Sequence, residues 1–184
     1  MTKTPTSVAA NNFLSEKIAS TSTAATISLN NPPPESVGYI TEFFSDTTIP
    51  DKSLSYNFYS HFISHILKPD LVQRGRVSCT ATVLPSVINS YNGLHGGAVA
   101  AIAERVAIAC ARTVVAEDKE IFLGELSMSY LSAAQQNEVL VVDGSVVRSG
   151  RNLTVVAMEF KIKETQKPVY LARATFYHMP VAKL

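Results

Sequence analysis

Two features of the sequence carry groups suited to chemistry. The first is Glu104. It stands in a run from Ala98 to Val115 that is otherwise nearly all Ala, Ile and Val, broken only by Glu104, Arg105, Cys110, Arg112 and Thr113. On a helical wheel Glu104 shares its face with Gly97, Ala100, Ala101, Ile108 and Ala111, the small or apolar neighbours at three, four and seven residues. A carboxylate on such a face is expected to be partly desolvated and close to another backbone. Desolvation disfavours the charged form and raises a carboxyl pKa, which suits a general base. A solvated or ion-paired Glu on an exposed helix edge fits the same spacing. The second feature is His95-Gly96-Gly97, where a loop leads into that run. Glycine lets a ligand approach the backbone, and a helix N-terminus presents unpaired N–H donors. Together they can stabilise an anion, or the oxyanion developing on a carbonyl. Alone, the tripeptide also fits a Gly-rich helix start with no ligand. With Glu104 nine residues after His95, the pattern becomes more specific.

These groups need a scaffold. Glu35–Phe44 reads as a short amphipathic helix, and a helical turn or irregular segment follows near Leu54–Ser60. Phe62–Leu71 and Arg76–Leu84 read as strands joined through a Gly75 turn, from their β-branched content. After a loop over Ser86–Leu94, the Ala-rich run favours one long helix. Ile121–Leu131, Val139–Arg148, Leu153–Lys163 and Val169–Met179 then alternate by twos as four β segments. Their connections, through Gln135-Gln136-Asn137, Ser149-Gly150 and Gln166-Lys167-Pro168, are short and imply antiparallel hairpins. A lone apolar helix must bury itself, and a sheet curled around it does so. The expected class is α+β.

Composition bounds the rest. The chain has 184 residues, 46% of them hydrophobic, with 16 Lys+Arg against 15 Asp+Glu and a net charge of +1. One folded domain is expected, and a broad nucleic-acid-binding face is not. Two cysteines do not make a disulfide scaffold, and no apolar run is long enough for a membrane-spanning helix. Residues 1–34 are mainly Ser, Thr, Ala, Asn and Pro, carry only Lys3, Glu16 and Lys17 as charges, and end on Pro32-Pro33-Pro34. They read as a disordered extension and linker before a domain over 35–184. A mitochondrial or plastid transit peptide is the alternative, weakened by the absence of Arg. The terminal Ala182-Lys183-Leu184 differs by one residue from the Ser-Lys-Leu peroxisomal signal and resembles its Ala-Lys-Leu variant. A chance tripeptide, leaving the protein in the cytosol, is the competing reading. His61 and His65 are four apart, but Phe62 stands where a His-Glu-x-x-His motif needs Glu, so no metal site is expected.

The stretch Asn89-Ser-Tyr-Asn-Gly-Leu-His95-Gly96-Gly97-Ala-Val-Ala-Ala-Ile-Ala-Glu104 resembles the motif of hotdog-fold acyl-CoA thioesterases. The nearest branch holds the phenylacetyl-CoA, 4-hydroxybenzoyl-CoA and acyl-CoA thioesterase 13-type members. The resemblance continues through Tyr130-Leu131-Ser132-Ala133-Ala134 and Arg148-Ser149-Gly150-Arg151, and covers about residues 35–179.

The resemblance implies a hotdog fold, a long central helix wrapped by a curved antiparallel sheet of five to six strands. It implies a homodimer, or a dimer of dimers, with active sites at the subunit interface. Gly96 would give a backbone N–H to the thioester carbonyl, and Glu104 from the opposite subunit would act as base or nucleophile. Asn89 would help place the thioester, and His95 would shape the loop. The CoA nucleotide would lie against Tyr130, Leu131, Ser132, Ala133, Ala134 and Gln135 and the turn Arg148, Ser149, Gly150, Arg151, Asn152 and Leu153. Tyr177 is a further candidate. By itself that turn reads equally as an ordinary hairpin with solvated charges. No cofactor is implied, since CoA belongs to the substrate. One departure stands out. Seven residues before Tyr130, where the thioesterase 13-type branch has a water-orienting Ser, this chain has Leu123, which cannot hydrogen-bond water. Ser127 is expected on the same strand face. A hydratase or dehydratase acting on acyl thioesters, and a non-catalytic acyl-CoA-binding protein, remain as other readings.

Overall fold

The computed structural model describes residues 51–180. The extension over 1–34, the helix expected over Glu35–Phe44 and the terminal Ala182-Lys183-Leu184 lie outside the described residues.

A 3₁₀ turn, Asp51–Leu54, leads to helix α1, Phe58–Ile66. Here the structure corrects the sequence reading, which began a strand at Phe62. Phe58 and Phe62, one helical turn apart, stack with ring centroids at 6.0 Å. Ile63 and Ile66 are buried together. The three-and-four spacing of these apolar side chains outweighs their β-branched character, because it lets one face pack on the central helix. Strand β1, Leu67–Gln73, starts only after that turn and pairs with β2, Arg76–Thr82. Gly75 makes the hairpin possible with φ 77.

Helix α2 spans Gly96–Arg112. Its buried stripe is Val99, Ile102, Ala103, Val106, Ala107 and Cys110, recurring every three to four residues. Strands β3 (Lys119–Tyr130), β4 (Val139–Ser149), β5 (Leu153–Ile162) and β6 (Pro168–Pro180) follow. The six strands form one antiparallel sheet in the order β1-β2-β4-β5-β6-β3, curved around α2. Inward positions such as Leu140, Val142, Val156, Phe160, Ala174 and Phe176 close the core. The expected α+β class and hotdog architecture hold.

One connection departs from expectation. The segment through Gln135-Gln136-Asn137 is not a hairpin, because β3 pairs with β6 and not with β4. The chain crosses the end of the sheet, held by Leu131 N–H to Val169 O and Asn137 N–H to Val83 O, both 2.9 Å. Loop length alone does not distinguish a hairpin from a crossing over the ends of two strands. The result is that β3 forms an edge, opposite β1.

Candidate active site

The loop before α2 is built by its own side chains. Asn89 Oδ1 accepts the Tyr91 N–H at 2.9 Å and the Gly93 N–H at 3.2 Å. The Asn89 N–H donates to Gly93 O at 2.8 Å, and the His95 N–H to Val87 O at 2.8 Å. His95 caps the helix, with Nδ1 accepting the Gly97 N–H at 3.0 Å. That bond fixes Nδ1 as the acceptor, so a neutral ring carries its proton on Nε2. The Gly96 N–H, one of the helix's first-turn donors, meets no acceptor among the described residues. It is a ready donor to an incoming carbonyl oxygen.

Tyr130, at the end of β3, leans over this helix start. Its hydroxyl donates to Gly96 O at 3.1 Å, and its ring meets Tyr170 edge-on with centroids at 5.7 Å. Leu131, Ala133 and Gln135 are exposed, Ser132 is half-buried, and Ala134 is fully buried. Ala134 joins the two loops, its carbonyl accepting the Leu94 N–H at 2.8 Å. Its own N–H donates to the Tyr170 hydroxyl at 3.0 Å. Lys167 Nζ donates to Ser132 Oγ at 3.0 Å. Asn89, His95, Gly96 and the Tyr130–Gln135 segment therefore meet at one end of the sheet.

Glu104 is exposed in the single chain. The expected desolvation is absent there, because the buried stripe of α2 runs along the opposite side of the helix. Glu104 instead borders a groove between α1 and α2, about 230 Å³ in volume, lined by Tyr59, Ser60, Ile63, Ala101, Arg105 and Ile108. Arg105 Nη2 donates to Ser60 O at 3.0 Å and ties the two helices together.

The turn Arg148–Leu153 lies elsewhere. It sits at the opposite end of the sheet from Tyr130, beside the start of β3, where Lys119 Nζ donates to Arg151 O at 3.1 Å. Arg148, Ser149, Gly150, Arg151 and Asn152 are exposed, and Leu153 is half-buried. Tyr177 faces outward, 51% exposed, between its cross-strand partners Leu153 and Phe122. The single chain does not bring this turn together with Gly96.

Residues 91–169 match the thioesterase superfamily. A Caenorhabditis elegans protein named as an esterase is 30% identical over 112 residues, which are 61% of this chain and 66% of that protein. The chain is similar to the thioesterase superfamily over residues 91–169, which are less than half of its length. Solved structures share its fold. Thioesterase superfamily member 2 from mouse is 18% identical with TM-score 0.60, covering 65% of this chain and 87% of that one. A Haemophilus influenzae thioesterase is 17% identical with TM-score 0.62, covering 74% and 95%. A Streptococcus mutans protein crystallised with acetyl-CoA is 20% identical with TM-score 0.58, covering 64% and 91%.

Against that superfamily background, Leu123 is half-buried and packs on the core. The sheet register shifts between Leu123 and Glu125. This bulge reverses the alternation, so Ser127 is exposed on the outer face, its Oγ 3.4 Å from Arg173 O. Ser127 therefore does not share Leu123's face, contrary to the sequence expectation, which counted by twos through Gly124. Sequence reasoning also missed Tyr59, Ser60 and Ile63 beside Glu104. The stacked spacing of Phe58 and Phe62 was the signal that α1 exists.

Proposed function

We propose that the protein hydrolyses acyl-CoA thioesters to a free acid and CoA, in a site assembled from two copies of the chain. One observation carries this reading: the separation of the candidate groups within one subunit. Gly96 and Glu104 are eight residues apart on one straight helix, which is about 12 Å of rise. No single carbonyl can touch both. Likewise Tyr130 and the Arg148–Arg151 turn lie at opposite ends of a sheet that the 12-residue β3 spans over roughly 35 Å. Pairing the β3 edge with the β3 of a second copy, antiparallel about a two-fold axis, resolves both separations. The Tyr130 end of one strand then lies beside the Lys119 end of the other. Each site takes Gly96, Asn89 and Tyr130 from one copy, and Glu104 and the Arg148–Arg151 turn from its partner. The edges favour this pairing. β1 is short, carries Lys68, Pro69 and Asp70, and has a bulge after Pro69, all devices that block strand addition. β3 has a bulge too, at Leu123–Glu125, but it is 12 residues long and lacks proline.

The chemistry follows from the groups. The Gly96 N–H donates to the thioester carbonyl oxygen and holds it as negative charge develops. One aimed donor of this kind is worth about 3–4 kcal/mol of barrier. Glu104 removes a proton from water as the water oxygen attacks the carbonyl carbon. The tetrahedral intermediate then breaks its C–S bond, and the departing sulfur takes the proton from Glu104. Direct attack by Glu104, forming a mixed anhydride that water then opens, balances equally well. A thioester is already activated, so neither route calls for a metal. Arg148 and Arg151 supply guanidinium groups for the phosphates of CoA. The S. mutans relative crystallised with acetyl-CoA supports this substrate class.

A complementation assay tests the reading. Glu104→Ala removes the base, and Gly96→Pro removes the N–H. Proline is well tolerated at the first helical position, where the N–H has no helical partner. Each variant alone should release little thiol from acyl-CoA. Co-expressed, they form mixed dimers with one intact site and one doubly defective site, and activity returns. Mixed dimers as inactive as either parent would overturn the shared site. Leu123 favours a second reading, a protein that binds acyl-CoA without turnover. Tight CoA binding with no thiol release from wild type across aliphatic and aromatic acyl-CoAs would establish it instead.

A further inference from the structure

Thr154 is the one fully buried polar side chain among the described residues, and it lies directly under the β4–β5 turn. Its Oγ1 is 2.9 Å from Ser149 Oγ and 2.9 Å from His178 Nε2. His178 Nδ1 is 3.1 Å from the carbonyl oxygen of Arg151. The His178 backbone N–H donates to the next carbonyl, Asn152 O, at 2.9 Å. A carbonyl oxygen only accepts, so Nδ1 carries a proton. In the neutral ring Nε2 is then an acceptor, Thr154 donates to it, and Ser149 donates to Thr154. The chain runs in one direction, from Ser149 through Thr154 and His178 to Arg151, and it links the two ends of the turn. Lys119 Nζ adds a second donor to the same Arg151 carbonyl.

An ordinary hairpin turn needs none of this. The Gly150 N–H already closes it onto Leu153 O at 2.9 Å. Burying a hydroxyl and half-burying an imidazole behind the turn costs desolvation that only complete hydrogen bonding offsets. What this arrangement achieves is a fixed backbone at Arg151, and so a fixed origin for its guanidinium. A cavity of about 230 Å³ opens beside it, lined by Lys119, Arg151, Asn152 and His178 among others.

We infer that His178 and Thr154 are positioning residues for the turn that grips the CoA nucleotide, acting through the backbone of Arg151 without touching the reacting thioester. The inference rests on the acyl-CoA reading above and adds two residues to it. The two copies share the work: the imidazole of one subunit sets the anion grip for the thioester held at Gly96 of the other.

The experiment compares an acyl-CoA with the matching acyl-pantetheine, which has the same thioester but no nucleotide. His178→Phe keeps the ring shape and removes both side-chain bonds. It should raise KM for acyl-CoA about tenfold, the effect of losing roughly one net hydrogen bond. It should leave kcat and the acyl-pantetheine reaction within about twofold of wild type. His178→Asn can still offer an N–H towards Arg151 O and should restore most of the affinity. Thr154→Val, nearly isosteric, provides a second variant should His178→Phe fold poorly, with the same split expected. CoA binding measured by calorimetry should weaken in step. Equal losses on both substrates, or an unchanged KM for acyl-CoA, would overturn the inference. Wild-type enzyme that releases thiol from neither substrate would instead remove the acyl-CoA reading on which it rests.

Discussion

The Tyr130 hydroxyl and the Gly96 carbonyl are hydrogen-bonded at 3.1 Å, from the end of β3 to the start of α2. The same peptide unit is held at its other end, where the Gly97 N–H donates to His95 Nδ1 at 3.0 Å. A Gly-Gly peptide is the most flexible unit a chain can offer. Here two side chains grip its C=O and its N–H, so it cannot flip. The preceding N–H, that of Gly96, meets no acceptor among the described residues. On the proposed mechanism this N–H would be pre-oriented as an oxyanion donor before any substrate arrives, which is what makes such a donor effective.

Removing the Tyr130 hydroxyl should loosen that peptide. Tyr130→Phe is expected to lower kcat for acyl-CoA by about tenfold, the effect of one modest hydrogen bond. Thermal stability should change little, because the ring is 53% exposed. Steady-state kinetics beside a melting curve checks both halves. An unchanged kcat would show that His95 alone holds the peptide.

Gly96→Pro separates the donor from the fold. The helix begins at this residue, and its cap, His95, is extended at φ -62 and ψ 130, the backbone that a following proline prefers. A Cβ there would sit 3.6 Å from the Tyr130 ring, an ordinary contact. The variant should fold and lose about 10²–10³ in kcat. Full activity with a native circular-dichroism spectrum would exclude the Gly96 N–H from the mechanism.

Gly144 tests how closely the sheet presses on the helix. A Cβ built there falls 3.1 Å from Val106 Cγ1 and 3.6 Å from Met158 Cγ. Gly144→Ala is expected to destabilise the fold by about 1–2 kcal/mol in urea titrations. In a Val106→Ala background the same change should cost nothing or stabilise, because the obstructing methyl is gone. Additive effects of the two substitutions would show that the two side chains do not meet.

Alkaline pH should destabilise the protein. Burial pushes the Cys79 thiol up from its ordinary pKa, and the nearby Asp70 charge adds to this. Burial also raises Cys110, partly offset by backbone hydrogen bonds at Val77 and Val146. Tyr170 is raised by burial too, against the opposing Ala134 N–H. In each case the folded state holds its proton more tightly than the unfolded chain. The stabilisation is therefore complete below the unfolded pKa values and is lost as pH rises through them, from about pH 8.5 upward for the thiols. Urea midpoints between neutral pH and pH 10 should fall, and the fall should shrink in Cys79→Ala. A flat or rising profile would contradict this.

The helix α2, the alternating strands and the His95–Glu104 spacing were legible because each rests on local periodicity. Two things were not. Phe62–Ile66 has β-branched content but helical spacing, and only its packing on α2 decides between them. The parity of Ser127 depends on a bulge at Gly124, and one extra residue in a strand moves every later side chain to the other face. The candidate residues were named from the sequence, and the resemblance implied that Glu104 comes from a second copy, but the distances within one chain were not legible. The sequence names Gly96, Glu104 and Arg148–Arg151 without stating how far apart one chain keeps them. The hydrogen-bond chain through Thr154 and His178 carried no signal, since an inward position in a strand is ordinarily filled by an apolar side chain.

The contrast between the two sheet edges has a consequence for assembly size. An edge that accepts a copy of itself about a two-fold axis is consumed when it does so. The remaining edge, with Pro69 and its bulge, refuses a further strand. On the proposed pairing, such a molecule would terminate its own polymerisation at the first step. It can expose a long bare strand during folding and still reach a finite particle, where a chain with two receptive edges would grow into a fibre.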